Sequence, residues 1–398
     1  MDLITIDEVD IKEKRLFIRV DFNVPLTKEG EFLDETRILT ALPTIRHALR
    51  EKAKVIIASH LGRPGGRPNL KLSLERVGRK LSEILDREVF FPEDSVGDAV
   101  KKVAADMPSG SVMLLENLRF HRGEEENDPR FAKKLAGVAD IYVNEAFSMS
   151  HRSHASVVGI LDFFQTACVG LEFKKEIENL GRLVDNFSRP FVAVFGGRSA
   201  TEKIPIMESM LDRLDTILIG GAVSNTFLKA LGRQLGKSVT DQIALYSAAK
   251  LVSSASARNI RLVLPDDLVL IEGDLKNYSN SFIMSGKIVP GDATVVDLGP
   301  NTLDSFTSRI LKAKTIFWNG PVGIYENDEF VKGTAAVAKA IAASGAFSVA
   351  AGWDTIMAIK KTGYEDKISF LSRGGKAALE FIQGKRLPAL EALERKFK

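Results

Sequence analysis

One cassette recurs along the chain: a short apolar run rich in Val and Ile, a residue such as Gly, Asn, Asp, His or Arg, and then a segment whose apolar positions recur at helical spacing. Buried apolar runs alternating with amphipathic helices are the pattern of βα units, which build parallel sheets covered on both faces. In the first half the predicted strands are RLFIRV (15–20), KVIIAS (54–59), VMLLEN (112–117) and IYVNEA (141–146), with amphipathic segments over 35–50, 73–86 and 129–137 between them. In the second half they are FVAVF (191–195), TILIG (216–220), RLVLP (261–265), TVVDL (294–298), TIFWN (315–319), FSVAA (347–351) and KISFL (367–371). No repeat of 20–50 residues and no low-complexity segment interrupts the series.

Between the two sets, EFKKEIENLGRLVDNF (172–187) carries Phe173, Ile177, Leu180, Leu183 and Val184 at helical spacing among charged residues, which predicts an inter-domain helix. A single (β/α) barrel is the alternative, but the strand candidates outnumber its eight, and the charged helix breaks the alternation. The pattern therefore predicts an α/β fold of two doubly wound domains. The length of 398 residues agrees with two cores.

Composition adds limits rather than an identity. Lys and Arg total 55 against 52 Asp and Glu, a net charge of +3, so no global field selects nucleic acid or an anionic membrane, and any anion must be drawn by a local cluster. The single cysteine, Cys168, excludes an intramolecular disulfide and is expected to be buried and inert. The sequence starts with charge, and no apolar run approaches the roughly 20 residues of a membrane span, so a soluble cytosolic protein is expected.

In open parallel sheets ligands bind beyond the carboxyl ends of the strands, where backbone N–H groups and helix N-termini point. In the first half those ends carry Asp21, Asn23, His60, Arg63, Arg119, His121 and Arg152, and Arg37 opens the helix after the first strand. Four arginines and a histidine at one edge predict a basin for a small ligand bearing phosphate and carboxylate, with Asp21 and Asn23 taking hydroxyls. The second half ends its strands in glycine: Gly196-Gly197, Gly220-Gly221, Gly299-Pro300, Asn319-Gly320-Pro321, Gly352 and Gly374-Gly375. Glycine lets backbone approach a planar ring or a phosphate closely, which points to a nucleotide. Neither G-x-G-x-x-G nor G-x-x-x-x-G-K-[ST] occurs. His151 and His154 lack a third metal ligand nearby and read as surface or substrate contacts, and Glu124-Glu125-Glu126 as a solvated helix-start cluster.

RVDFNVPL, SHLGRP, ENLRFHRGEE, HRSHAS, TFLKALG, LPDD, DLGPNT, WNGPVGIYE, FVKGT (330–334) and GKRLPALEAL together resemble phosphoglycerate kinase, in order and over essentially the whole chain. The resemblance implies two Rossmann-like αβα domains: 1–170 for the acid substrate, a hinge helix over 171–187, 188–383 for the nucleotide, and a tail over 384–398 returning to the first domain. It implies reversible phosphoryl transfer between 1,3-bisphosphoglycerate and ADP by hinge closure, with Mg²⁺ carried by ADP or ATP, in a cytoplasmic monomer whose partners are small molecules. Matched by motif, the acid substrate would meet Asp21, Phe22, Asn23, Arg37, His60, Leu61, Gly62, Arg63, Arg119 and Arg152. The nucleotide would meet Gly196, Gly197, Arg198, Lys203, Gly221, Asn319, Pro321, Glu326, Gly352, Trp353, Asp354 and Thr355, with Asp354 holding the metal. Arg37, Lys203, Gly374 and Gly375 would surround the transferring phosphoryl group.

The second half departs from that family's pattern at chemical positions. Where the pattern resembles G-G-A-K-V-x-D-K the chain reads Gly196-Gly197-Arg198-Ser199-Ala200-Thr201-Glu202-Lys203, so Ser199 replaces a phosphate-facing lysine. G-G-G-D-T becomes Ala351-Gly352-Trp353-Asp354-Thr355, S-T-G-G-G-A becomes Ser372-Arg373-Gly374-Gly375-Lys376-Ala377, and a third glycine near the base is Ala222. In the first half V-N-D-A-F-G-T is Val143-Asn144-Glu145-Ala146-Phe147-Ser148-Met149. One lysine is lost while Arg198, Arg373 and Lys376 are gained, which suggests that Arg198 or Lys376 takes over the lost contact. A divergent paralogue that binds a phosphorylated acid with weak, lost or altered nucleotide-dependent activity is the alternative.

Overall fold

The apolar runs of the first half become β1 (Arg15–Arg19), β2 (Lys54–Ala58), β4 (Val112–Leu114) and β5 (Ile141–Asn144), joined at the edges by the short β3 (Val89–Phe90) and by β6 (Thr166–Val169), which the pattern did not announce. The computed structural model describes residues 3–27, 29–273, 275–278, 280–286 and 288–397; the ends of the expected first domain and tail, Met1, Asp2 and Lys398, lie outside them. All six strands run parallel in the order β3-β4-β2-β1-β5-β6. Alternate residues serve two cores, which is why the runs are continuously apolar. Leu16, Ile18, Val55, Ile57 and Leu114 pack with Ile38 and Ile45 of the helix Thr36–Arg50 and with Val77 and Leu81 of the helix Glu75–Leu85. Phe17, Ile56 and Met113, the intervening positions, are also fully buried, and Phe17 stacks on Tyr142.

The second half repeats the plan. Here β7 (Phe191–Phe195), β8 (Thr216–Ile219), β10 (Arg261–Val263), β15 (Thr315–Asn319), β16 (Phe347–Ala351) and β17 (Phe370–Ser372) form a second parallel sheet in the order β10-β8-β7-β15-β16-β17. Its core brings Val192, Val194, Leu218, Ile316 and Trp318 against Phe306, Ile310, Val337 and Ile341. One expected strand sits elsewhere. β14 (Ala293–Leu298) belongs to a separate antiparallel sheet, β12-β11-β14, with β11 (Asp267–Glu272) and β12 (Ser281–Ser285). No helix separates β11 from β10, and β12 alternates exposed Ser281, Ile283 and Ser285 with inward Phe282 and Met284, so neither carries the βα signature. A two-stranded parallel pair, β9 (Gln234–Leu235) with β13 (Ile288–Val289), completes the strands.

Two compact units result: residues Met1–Glu178 with Arg386–Lys398, and Asn179–Lys385. The division falls inside the helix Leu171–Val184. The last helix, Pro388–Phe397, is part of the first unit, where the Ala389 amide donates to the Ser150 carbonyl and its side chain packs on Ala146, Met149 and Val157. Among the described residues no helix is long and apolar enough to cross a membrane.

Candidate functional site

In the first unit the chain leaving β1 passes Asp21, Phe22 and Asn23 just beyond the strand's carboxyl end. Phe22 is fully buried and anchors the turn, its amide donating to the Ser59 hydroxyl. Asp21 pairs with Arg37, which lies in the first turn of the helix Thr36–Arg50, and accepts a hydrogen bond from the Ser148 hydroxyl. The Asn23 side-chain oxygen accepts the Gly62 amide at 2.8 Å, and the Gly62 carbonyl accepts Nη1 of Arg119 at 2.8 Å. Asp21, Asn23, Arg37, His60, Leu61, Gly62 and Arg119 thus form one contiguous cluster across the ends of β1, β2 and β4. Arg63 and Arg152 are exposed beside it, and Arg152 is near enough to act on the Arg119 charge.

The electrostatics of this cluster follow from burial. His60 is 2% exposed, and desolvation holds its pKa well below the ordinary histidine value; Asp21 opposes this, while Arg19, Arg119 and Arg37 reinforce it. Nη2 of Arg19 lies 3.4 Å from Nδ1 of His60; a guanidinium only donates, so Nδ1 accepts and the ring is neutral. Burial pushes the Asp21 carboxyl up, but Arg37 foremost, with the Ser148 hydroxyl and Arg19, outweighs it and holds the group below the usual carboxylate range. Nε of Arg119 is buried and without a hydrogen-bond partner, although a Glu125 carboxylate oxygen stands 3.4 Å away. A buried guanidinium with an unfilled donor is suited to an anion.

Three groups beneath the cluster were missed or misread from sequence. Arg19, the last residue of β1, is fully buried and donates to Ser156 Oγ at 2.7 Å. Glu124, expected to be solvated, is fully buried: it accepts from the Ser156 amide and hydroxyl and lies 3.9 Å from Arg19. His154, expected at the surface or on substrate, is buried 3.6 Å from Glu124. The Glu124 carboxylate neutralises the buried Arg19 guanidinium, which explains why the two are buried together. An arginine closing an otherwise apolar strand was the available signal. Cys168 is buried, as expected, and burial raises its thiol pKa.

In the second unit a cavity of about 430 Å³ opens beside the ends of β7 and β8 and along β14. Its wall is largely backbone and aliphatic: Gly197, Gly221, Ala222, Val239, Val296, Leu298, Val322 and Ile324, with Pro321, Arg198, Glu326 and Asp354 also lining it. The turns behind the wall fit only glycine. A methyl at Gly196 would stand 2.1 Å from the Pro321 carbonyl oxygen, and Gly221, at φ +60°, would bring one to 2.8 Å from the Gly197 nitrogen. Gly197 N–H donates to the Pro321 carbonyl at 2.8 Å and Gly221 N–H to that of Val322 at 2.8 Å, tying the three turns together.

Gly196, Lys203, Asn319, Gly352, Trp353 and Thr355 are not among the lining residues. Asn319 is buried; its oxygen accepts from the Lys203 ammonium at 2.5 Å and its amide donates to the Ala351 carbonyl. Burial lowers the Lys203 pKa against the pull of Glu202 and Asp354. The Thr355 hydroxyl donates to the Ala351 carbonyl and accepts the Gly320 amide, so it holds the turn that shapes the wall. Trp353 begins the helix Trp353–Thr362 and is 43% exposed. Ser199 caps the helix Ala200–Met210, accepting the Glu202 amide at 3.3 Å. Lys376 pairs with Glu380 at 3.6 Å, whereas Arg198 lines the cavity. Gly374 and Gly375 begin the helix Gly375–Ile382. Gly299 serves a different purpose: a methyl there would strike the Asp267 carboxylate, which caps the helix Pro300–Ile310 through the Asn301 and Thr302 amides.

The first unit therefore offers a basic polar cluster and the second a largely aliphatic slot with a charged rim. Comparison with known proteins gives consistent findings. The family model described as "Phosphoglycerate kinase" matches residues 6–385. A phosphoglycerate kinase of Anaeromyxobacter dehalogenans strain 2CP-C is 46% identical over 396 residues, covering 99% of this chain and 100% of the relative; that of Koribacter versatilis is 42% identical over 403 residues and covers both chains fully. Among solved structures, phosphoglycerate kinase from Coxiella burnetii superposes with a TM-score of 0.90 at 36% identity over 100% of both chains. That from Pyrococcus horikoshii OT3 does so with 0.83 at 32% over 99% of both.

Proposed function

The chain belongs to the phosphoglycerate kinase family, and from that premise we propose how its own residues divide the family's reaction, reversible phosphoryl transfer between 1,3-bisphosphoglycerate and ADP giving 3-phosphoglycerate and ATP. The chain is a phosphotransferase, and ADP and ATP are its nucleotide substrates. No comparison favours the divergent paralogue. A β-phosphate oxygen of ADP forms the new P–O bond as the bond to the acyl oxygen breaks, and 3-phosphoglycerate leaves as its carboxylate. Catalysis of such a transfer is mostly positioning and neutralisation of charge.

The first unit takes the acid. Arg63, Arg119 and Arg152 hold its phosphate and carboxylate, neutral His60 donates from Nε2, and Asp21 and Asn23 take the hydroxyl. The unfilled, buried Nε of Arg119 is the observation that carries this reading. The second unit takes the nucleotide. The base lies against Gly197 and Gly221, with Pro321 and Glu326 at its ribose side, while Gly196, Asn319, Gly352 and Thr355 act by holding the walls. Lys203, steered by Asn319, faces the phosphates together with Arg198, which takes over from the lysine that Ser199 replaces. Arg37 and Lys203 flank the transferring group, and Gly374-Gly375 present a helix N-terminus to it.

Among the described residues no cluster of three or more His, Cys, Asp or Glu could hold a metal, but Asp354 is an exposed carboxylate on the cavity rim. One carboxylate fits an ion that arrives on nucleotide phosphates, so Asp354 would hold Mg²⁺, which supplies neutralising charge there. Because the ligands bind different units, transfer requires a closure that brings them together and excludes water from the acyl phosphate. A cytoplasmic monomer belongs to the same reading. A coupled assay of the full chain with 3-phosphoglycerate and Mg-ATP tests it: turnover dependent on both substrates is expected, and absence of turnover in folded protein would refute it.

A further inference from the structure

Asp21 carries more hydrogen bonds on one oxygen than a substrate contact requires. Its Oδ2 accepts both Nη1 of Arg37 and the Ser148 hydroxyl, while Oδ1 accepts the Asn23 amide at 3.2 Å. The ion pair is unequal: the Asp21 side chain is 13% exposed and that of Arg37 32%. Arg37 is the partner that can leave, since it sits on a long flexible stem at a helix start and is the more solvated. If it leaves for the transferring phosphoryl group, a largely buried carboxylate loses its ion pair, and such a group tends to take up a proton.

We propose that Ser148 is a positioning residue for phosphoryl transfer: its hydroxyl keeps the Asp21 carboxylate oriented and ionised while Arg37 serves the substrate. This rests on the reading of Asp21 and Arg37 given above. The other groups that act on Asp21 cannot take over. Arg19, from β1, is committed to Ser156 and the Val20 carbonyl, and His60, from the loop after β2, is neutral. Ser148 is well fixed. It lies in a 3-10 turn, Phe147–Met149, closed by the Met149 amide on the Ala146 carbonyl at 2.9 Å, and its own carbonyl accepts Nδ1 of His151 at 2.9 Å. Phe147 beside it is buried edge-on to Phe173, with ring centroids 5.3 Å apart. Ser148 stands where the family pattern quoted above has glycine.

The test uses the full chain with Ser148→Ala and Ser148→Thr, folding being checked by circular dichroism. A hydrogen bond to a charged group favours the charged form by an amount on the order of one pKa unit. Removing it raises the Asp21 pKa in the substrate complex, so the acid limb of kcat moves up by about one pH unit in Ser148→Ala. Below both limbs that variant is then about tenfold slower than wild type at equal pH. Ser148→Thr, which keeps the hydroxyl, returns the limb to its place. An unmoved limb in folded Ser148→Ala, or a limb that Thr fails to restore, overturns the proposal. Calorimetric binding of 3-phosphoglycerate to the wild type separates the two failures: binding with an unmoved limb sinks the role of Ser148 alone, whereas no binding sinks the reading of the acid site.

Discussion

The two candidate sites are made of opposite materials. In the first unit the candidate groups are polar and charged side chains: half-buried Arg37 pairs with Asp21, buried Arg19 lies by Glu124, buried Arg119 keeps an unfilled Nε, and His60 is kept neutral. In the second the cavity wall is largely backbone and aliphatic carbon, interrupted by polar side chains such as buried Asp297, with exposed Arg198, Glu326 and Asp354 also lining it. On the reading proposed above, the difference follows from what each holds. A small acid bearing both carboxylate and phosphate offers little apolar area and is recognised by charge-assisted hydrogen bonds, whereas a nucleotide base is held by close van der Waals contact and its phosphates by a few cations. Buried guanidiniums are costly unless paired, so the acid site needs a second layer of counter-charges beneath it. The slot instead needs glycines.

This contrast can be broken in graded steps. The largest effect is expected at Lys203. Lys203→Met should lower kcat by about 10²–10³-fold, the usual loss for a charge aimed at a transferring group, while leaving 3-phosphoglycerate binding within about twofold. A coupled assay beside calorimetry reads both, and a fall smaller than tenfold would remove Lys203 from the reacting centre. Next is Arg63→Ala, which removes an exposed cation from the acid basin. Loss of charge-assisted hydrogen bonds should weaken 3-phosphoglycerate by roughly 10–100-fold and leave Mg-ADP affinity unchanged; an unaltered dissociation constant for the acid would contradict the basin.

The smallest effect concerns Asp297, a buried carboxyl on the slot wall that accepts the Gly333 and Leu298 amides. Burial raises its pKa to about 7, above the ordinary carboxylate value, although those bonds and Lys332 oppose the shift. Between about pH 4 and pH 7 the folded state therefore holds a proton that the unfolded chain has released. The stability this group contributes is present below pH 4 and is lost as pH rises through 7. Asp297→Asn should flatten the melting temperature across that window; a profile identical to wild type would mean that Asp297 stays ionised.

Much of the acid basin was legible because a parallel sheet sends every strand's carboxyl end to one edge, so Asp21, His60 and Arg119 could be grouped from their positions alone. The layer beneath was not, because its bonds join residues far apart in the chain: Arg19 to Ser156 across 137 positions, Ser148 to Asp21 across 127. No local pattern encodes such pairs. In the second unit the glycine turns were visible, but their purposes were not. Gly221 shapes the slot wall, while Gly299 makes room for the Asp267 cap. Ser199 likewise reads as a lost lysine in the chain and serves in the structure as a helix cap. β12 escaped notice because an antiparallel strand with one wet face lacks the continuous apolar run on which the βα reading depends, and β11, although apolar over Leu268–Ile271, follows β10 with no helix between them.

The division of labour between the two units is tested most directly by titrating wild type and Gly221→Val separately with 3-phosphoglycerate and with Mg-ADP in a calorimeter. The wild type should bind both. The variant, with a side chain forced against the Gly197 nitrogen and the Pro321 carbonyl, should lose Mg-ADP while binding 3-phosphoglycerate as before. Retained nucleotide binding, or loss of both ligands in a folded variant, would contradict it.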